Sequence, residues 1–257
     1  MNISAKNLSF SYTEKQLFNN FNADFEGGER PMVILGPSGS GKTTLLKLLG
    51  GLLKPQGGNV FYSGDFSRLS GEGAAPEEIV TPDVSFMFQE PRLLPWFTVL
   101  ENVSLPLGKI FGKTKARERA RHFLSLVSLE DKEDSYPKEL SGGQAQRVSM
   151  ARAFAWPSPA LFMDEPFQSL DIPLRVNLMD LTLSLLEKEK FLSKNRFLIT
   201  VTHDPGEAAY IGGRIIVLGK PGEGIVFDRV VDHGGGDRAY ASAATADLER
   251  EIIKALL

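Results

Sequence analysis

Short, almost wholly apolar runs alternate along this chain with longer stretches of helical periodicity. Met32–Leu35, Ala160–Met163 and Phe197–Thr202 are such runs, the pattern of strands buried on both faces of a sheet. Asn2–Tyr12 and Gln16–Phe25 instead alternate loosely and carry several aromatic residues, which predicts short strands in an edge or antiparallel layer. Asn59–Tyr62 and Val84–Phe88 add further strands, and Ile215–Leu218 with Ile225–Asp228 predict a closing hairpin. Helices are predicted over Thr43–Leu49, ended by Gly50-Gly51, and over Lys115–Leu126, Gln144–Ala155, Leu174–Glu189 and the amphipathic Ala246–Leu257. This alternation predicts an α/β fold with a mostly parallel core sheet and an N-terminal antiparallel β subdomain. The expected organisation is one domain over residues 1–257, with an inserted α-helical subdomain over approximately 90–158.

Ser63–Pro82 breaks the pattern. It is rich in Gly, Ser, Ala, Pro and Glu and reads as a surface excursion; its Leu69-Ser70-Gly71 imitates part of a later motif but is followed by Glu72. Composition narrows the partners. With 29 basic and 32 acidic residues the net charge is −3, which supplies no bulk field for a nucleic-acid backbone. No cysteine is present, which removes disulfides and thiolate metal sites and fits the cytosol. Met1–Phe10 is a poor match to a signal peptide, and no run approaches the roughly twenty apolar residues of a membrane span. Any membrane role is therefore expected to use a partner.

The first chemical motif is Gly36-Pro37-Ser38-Gly39-Ser40-Gly41-Lys42-Thr43, followed by Thr44, which satisfies G-x-x-x-x-G-K-[ST] between an apolar strand and a helix. Glycines admit a tight turn whose backbone N–H groups face phosphate oxygens, and the following helix adds the positive end of its dipole. Lys42 is expected to reach the β- and γ-phosphates, and the Thr43 hydroxyl to coordinate Mg2+, the arrangement of a P-loop nucleoside triphosphatase. The second motif is Leu161-Phe162-Met163-Asp164-Glu165. An apolar strand ending in adjacent acids offers Asp164 to the Mg2+ shell and Glu165 to the attacking water, with Pro166 opening a turn.

Leu140-Ser141-Gly142-Gly143-Gln144 is a third motif, able to present a hydroxyl and backbone donors at a helix start, or simply to cap that helix. With it, the chain resembles an ATP-binding cassette (ABC) transporter ATPase. Tyr12, the phosphate loop, Gln89, Leu140–Gln144, Leu161–Glu165, Ser169-Leu170-Asp171 and His203 occur in that family's order over almost the whole length. The resemblance implies that Ser141, Gly142, Gly143 and Gln144 serve ATP held by a second ATPase subunit in a head-to-tail dimer. It implies that Tyr12 stacks on adenine, with Phe10 as rival and edge-strand packing as the plain alternative. It also implies that Gln89 approaches Mg2+ and water, that His203 bonds the γ-phosphate, and that Asp171 crosses the dimer interface or caps a helix before Ile172-Pro173. His122 and His233 match no motif and carry no assignment.

The implied reaction is ATP plus water to ADP plus phosphate, with ATP and Mg2+ as cofactors and no covalent intermediate. Gln89–Val103 looks like the importer ATPases for nitrate, sulfonate, taurine and related solutes, and Glu165-Pro166-Phe167 and Val201–Ala208 support that branch. Arg92–Trp96 then forms part of a groove for transmembrane permease subunits, with Leu93, Leu94 and Trp96 divided between partner contact and intrachain packing. The resemblance also implies indirect coupling to an extracytoplasmic solute-binding protein and a place on the cytoplasmic face of the membrane. Gln168, where the branch often has a small residue, and the loose Ser63–Pro82 stretch depart from the pattern. The chain ends without the long extra domain of some sugar-importer ATPases, so no comparable regulatory module is expected. The alternatives are an exporter ATPase lacking its fused membrane domain and a soluble ATP switch.

Overall fold

The computed structural model describes residues 2–13, 15–63, 83–168, 170–188, 196–232, 240 and 242–257. Leu69-Ser70-Gly71, Ser169 and His233 lie outside the described residues.

Two sheets form the framework. Strands β1 (Asn2–Tyr12), β2 (Lys15–Glu26) and β4 (Gly57–Ser63) make an antiparallel sheet in the order β2-β1-β4. Strands β3 (Met32–Leu35), β5 (Val84–Met87), β6 (Ala160–Asp164), β7 (Phe197–Val201), β8 (Arg214–Leu218) and β9 (Ile225–Val230) make the second, in the order β5-β6-β7-β3-β8-β9. Every neighbouring pair in it is parallel except β8 with β9, the expected hairpin.

The apolar runs are continuous because both faces of this sheet are covered. On β3, Met32 and Ile34 join Phe162, Ile199 and Ile216 in a core shared with β1, β2 and helix α1 (Lys42–Leu49). Val33 and Leu35 point the other way, into a core with Leu161, Met163, Leu198 and Val217 that the remaining helices cover. These are α2 (Val99–Ser104), α3 (Gly108–Leu126), α4 (Gly142–Ala155), α5 (Ile172–Lys188), α6 (Pro205–Ile211) and α7 (Ala243–Leu256). Helices α2, α3 and α4 all lie between β5 and β6, which are adjacent in the sheet.

Local chemistry sets several boundaries. Thr98 and Glu101 close a capping box at the start of α2, and Ser141 and Gln144 close another at the start of α4. Helix α3 begins earlier than its charged repeat predicts, at Gly108, and breaks at Gly112, where φ is 74°. Helices α2 and α6 were not legible as helices, being only 6 and 7 residues long.

Candidate active site

The phosphate loop joins β3 to α1 and opens on a cavity of about 760 Å³. Gly41 stands at φ 98° just before α1, and a Cβ there would lie 2.9 Å from the Phe18 ring. Only glycine meets both demands without strain. No side chain caps this helix start, so its leading N–H groups are left to the cavity.

Lys42 is 7% exposed and its ammonium donates to the carbonyls of Gly36 at 2.9 Å and Pro37 at 3.1 Å. Burial lowers its pKa, partly offset by the negative charges of Glu165 and Asp164. Asp164, also 7% exposed, accepts from the Thr43 hydroxyl at 2.8 Å. Burial raises its pKa, against the Thr43 bond and the positive charge of Lys47. A buried cation whose bonds, among the described residues, go only to carbonyls, and a buried carboxylate bonded there to one hydroxyl, are each stabilised by a ligand of opposite charge. Ser40 adds a buried hydroxyl that has no hydrogen-bond partner among the described residues. The donor set therefore fits a polyphosphate at Lys42 and a hard cation held through oxygen at Thr43 and Asp164.

Facing the loop, Glu165 follows β6 with φ 46°, a left-handed conformation uncommon outside glycine, held by its N–H donating to Val201 carbonyl at 2.9 Å. Its carboxylate lies 3.1 Å from His203 Nδ1. Both side chains line the cavity, with Tyr12, Leu17, Gln168 and Leu256. Tyr12 is 49% exposed, and Phe10, its rival, is buried in the core with its ring edge-on to Tyr12 at 5.0 Å between centroids. Of the two rings, Tyr12 is the exposed one at the cavity.

Gln89 follows β5 and does not line the cavity; its amide donates to Gln168, which does. Ser141, Gly142, Gly143, Gln144 and Asp171 are also outside the cavity lining. Ser141 accepts from Gln144 N–H at 3.3 Å and Asp171 from Leu174 N–H at 2.9 Å, so both cap helices. A Cβ on Gly143 would strike Leu174 at 2.5 Å, whereas a Cβ on Gly142 would meet nothing within 4 Å. Nothing described within the chain requires glycine at position 142.

Several supporting residues carry no motif. Asn102 staples the loop before α2, accepting from Leu94 N–H at 2.7 Å and donating to the carbonyls of Leu94, Phe97 and Thr98. Arg152 donates to the carbonyls of Pro91 and Arg92, joining α4 to the chain just beyond Gln89. Gln146 donates to Pro166 carbonyl at 2.6 Å, under the Glu165 turn. Of the three apolar residues with open roles, Leu93 packs on the core while Trp96 is 67% exposed. The charge-free placement of Leu17 and Leu256 at the cavity had no sequence signal either.

A glycine loop between a buried parallel strand and a helix, with Thr43 bonded to an acidic strand end, defines a P-loop nucleoside triphosphatase. The ABC transporter family profile matches residues 18–168, and the chain belongs to that family. It is an ATP-hydrolysing cassette. Aliphatic sulfonates import ATP-binding protein SsuB of Rhodopseudomonas palustris (strain BisA53) is 37% identical over 255 residues, covering 99% of this chain and 83% of that protein. The SsuB protein of Zymomonas mobilis (strain ATCC 31821) is 40% identical over 189 residues, 74% of this chain and 70% of its own. Among solved structures, the dimeric bacterial ABC transporter cassette MJ0796 superposes with TM-score 0.72 at 30% identity, over 90% of this chain and 99% of that one. The same cassette in a post-hydrolysis dimer bound to ADP and phosphate gives TM-score 0.70 at 31% identity, over the same 90% and 99%.

Proposed function

We propose that this chain is the ATPase subunit of a membrane importer for a small solute of the nitrate, sulfonate and taurine kind. The import reading rests on the sulfonate-import relatives and on the Gln89–Val103 and Val201–Ala208 segments. The observation that carries the chemistry is that one cavity gathers Lys42, Thr43, Glu165 and His203 while Ser141–Gln144 stay outside its lining.

ATP enters with its adenine against Tyr12 and its phosphates along Gly36–Thr44. Lys42 exchanges backbone carbonyls for β- and γ-phosphate oxygens, which offsets the cost of its burial. Bound at Thr43 and Asp164, with Gln89 approaching, Mg2+ would neutralise developing charge on the phosphate oxygens. Glu165 orients and activates the water for in-line attack, and His203, 3.1 Å from Glu165, bonds the γ-phosphate and keeps the carboxylate aimed.

The remaining donors come from a second subunit in a head-to-tail dimer, whose Ser141 and Gly143 face the γ-phosphate. The open space at Gly142 suits a closely approaching partner, and Ile172, exposed beside Asp171, suits an interface there. Exposed Trp96 suits contact with the permease, and the solute-binding protein acts through that permease. No helix among the described residues is long and apolar enough to cross a membrane, so attachment to the cytoplasmic face runs through the permease. The preferred division is a single catalytic domain with residues of approximately 90–158 as its inserted helical part.

The test is Glu165→Gln. It keeps the shape and removes the base, so ATP binding persists while turnover falls by roughly a hundred-fold or more. Steady hydrolysis near the parental rate, measured with the permease present, overturns the assignment.

A further inference from the structure

His203 presents an unusual problem of positioning. Its side chain is 57% exposed, and among the described residues the hydrogen-bond partner of its ring is Glu165, with the Glu207 carboxylate acting on it only through charge. Packing does not fix such a ring, so its direction depends on the backbone that carries it. Both neighbours of that backbone are anchored. Thr202 donates to Glu207 at 2.5 Å, and Asp204 N–H donates to the Thr202 hydroxyl at 3.1 Å. Asp204 divides its carboxylate: one oxygen caps α6 by accepting from Gly206 and Glu207 N–H, and the other accepts from Arg175 at 2.7 Å.

Arg175 lies in the first turn of α5. Besides Asp204, its guanidinium donates to Leu170 carbonyl at 3.3 Å and lies 3.6 Å from the Glu207 carboxylate. Its own N–H donates to Asp171 carbonyl at 2.9 Å. One planar fork thus bridges Leu170–Asp171 and the segment carrying His203. A lysine, as a point donor, cannot hold both ends in that geometry.

We propose that Arg175 is a positioning residue that ties Leu170–Asp171 to His203, so that displacement of the first segment redirects the imidazole at the γ-phosphate end of the cavity. This inference rests on the role given to His203 above. It assigns a mechanical link to a residue that none of the ATP-handling motifs contains, and it makes Asp204 the joint of that link.

The test is a double-mutant cycle on the full chain assembled with its permease. Arg175→Met and Arg175→Lys are each made in the parental and His203→Ala backgrounds. Arg175→Met in the parental background is expected to lower kcat by roughly ten-fold with KM for ATP within about two-fold, and Arg175→Lys to fall between. In the His203→Ala background neither substitution should lower kcat by more than about two-fold. Equal losses in both backgrounds overturn the link and leave Arg175 a stabilising ion pair only. An unaltered rate for His203→Ala alone instead retires the His203 assignment and the link with it. Should Arg175→Met fail to fold, Asp204→Asn replaces it, since the amide oxygen preserves the α6 cap while the charge is lost.

Discussion

The phosphate loop and the Ser141–Gln144 segment are both glycine-rich starts of helices, yet the chain treats them in opposite ways. At the loop, surrounding structure dictates each feature: Gly41 is required by φ 98° and the Phe18 ring, Lys42 is bonded to two carbonyls, and Thr43 to Asp164. At α4 the helix is capped by its own Ser141 and Gln144, and Gly142 borders open space. The first region is finished within one chain. In the second, nothing among the described residues requires glycine at 142, which is what the proposed composite site would leave.

Substituting the two glycines separates the regions most sharply. Gly41→Ala forces a left-handed conformation costing about 1–2 kcal/mol, before any displacement of Phe18. Thermal unfolding should come several degrees lower, at roughly 2–4 °C per kcal/mol for a domain of this size, and ATP binding should be lost. Gly142→Ala should leave stability within about 0.5 kcal/mol, because the new methyl meets nothing within 4 Å among the described residues. Hydrolysis should still fall by about ten-fold, the scale of removing one charge-assisted hydrogen bond from a closed dimer. Unfolding curves and steady-state rates on the same two variants check both halves. A destabilised Gly142→Ala protein breaks the comparison.

The same contrast explains what the sequence disclosed. The loop and the Asp164–Glu165 strand end were legible because each compresses its chemistry into consecutive residues flanked by a strong periodic pattern. The buried strands were legible because sheets covered on both faces demand uninterrupted apolar runs. Helix α6 was not, since seven residues make only about two turns and leave no period to count. Nor were Asn102, Arg152 and Arg175, whose partners are backbone carbonyls or an acid brought near only by folding. Phe10 and Tyr12, two residues apart on β1, share one face of the strand, but Phe10 lies over the core whereas Tyr12, at the strand's last position, runs beyond it and lines the cavity, which favours Tyr12 over Phe10. Asp171 proved to be a helix cap in the chain, which leaves its proposed interface role compatible with that local one.

A smaller effect concerns the acid beneath His203. Burial, reinforced by Asp204, raises the Glu207 pKa to about 6 from 4.5, against the Thr202 hydrogen bond and Arg175. Between those values the folded chain holds a proton that the unfolded chain has released. The contribution is therefore fully present below pH 4.5 and is lost as pH rises through about 6. It amounts to about 2 kcal/mol at most. Urea unfolding of parental protein and Glu207→Gln across that window should show the parental stability declining relative to the variant as pH rises. A constant difference removes Glu207 from the account.

The central claim is that each ATP is completed by two chains, and ATP-dependent association tests it most directly. Sedimentation velocity of Glu165→Gln with ATP should show a dimer. The same protein carrying Gly142→Glu in addition should bind ATP equally well and sediment as a monomer, because the carboxylate occupies the space left for a partner. Dimers of unchanged stability in the double variant, or a Glu165→Gln protein that stays monomeric when saturated with ATP, would contradict it.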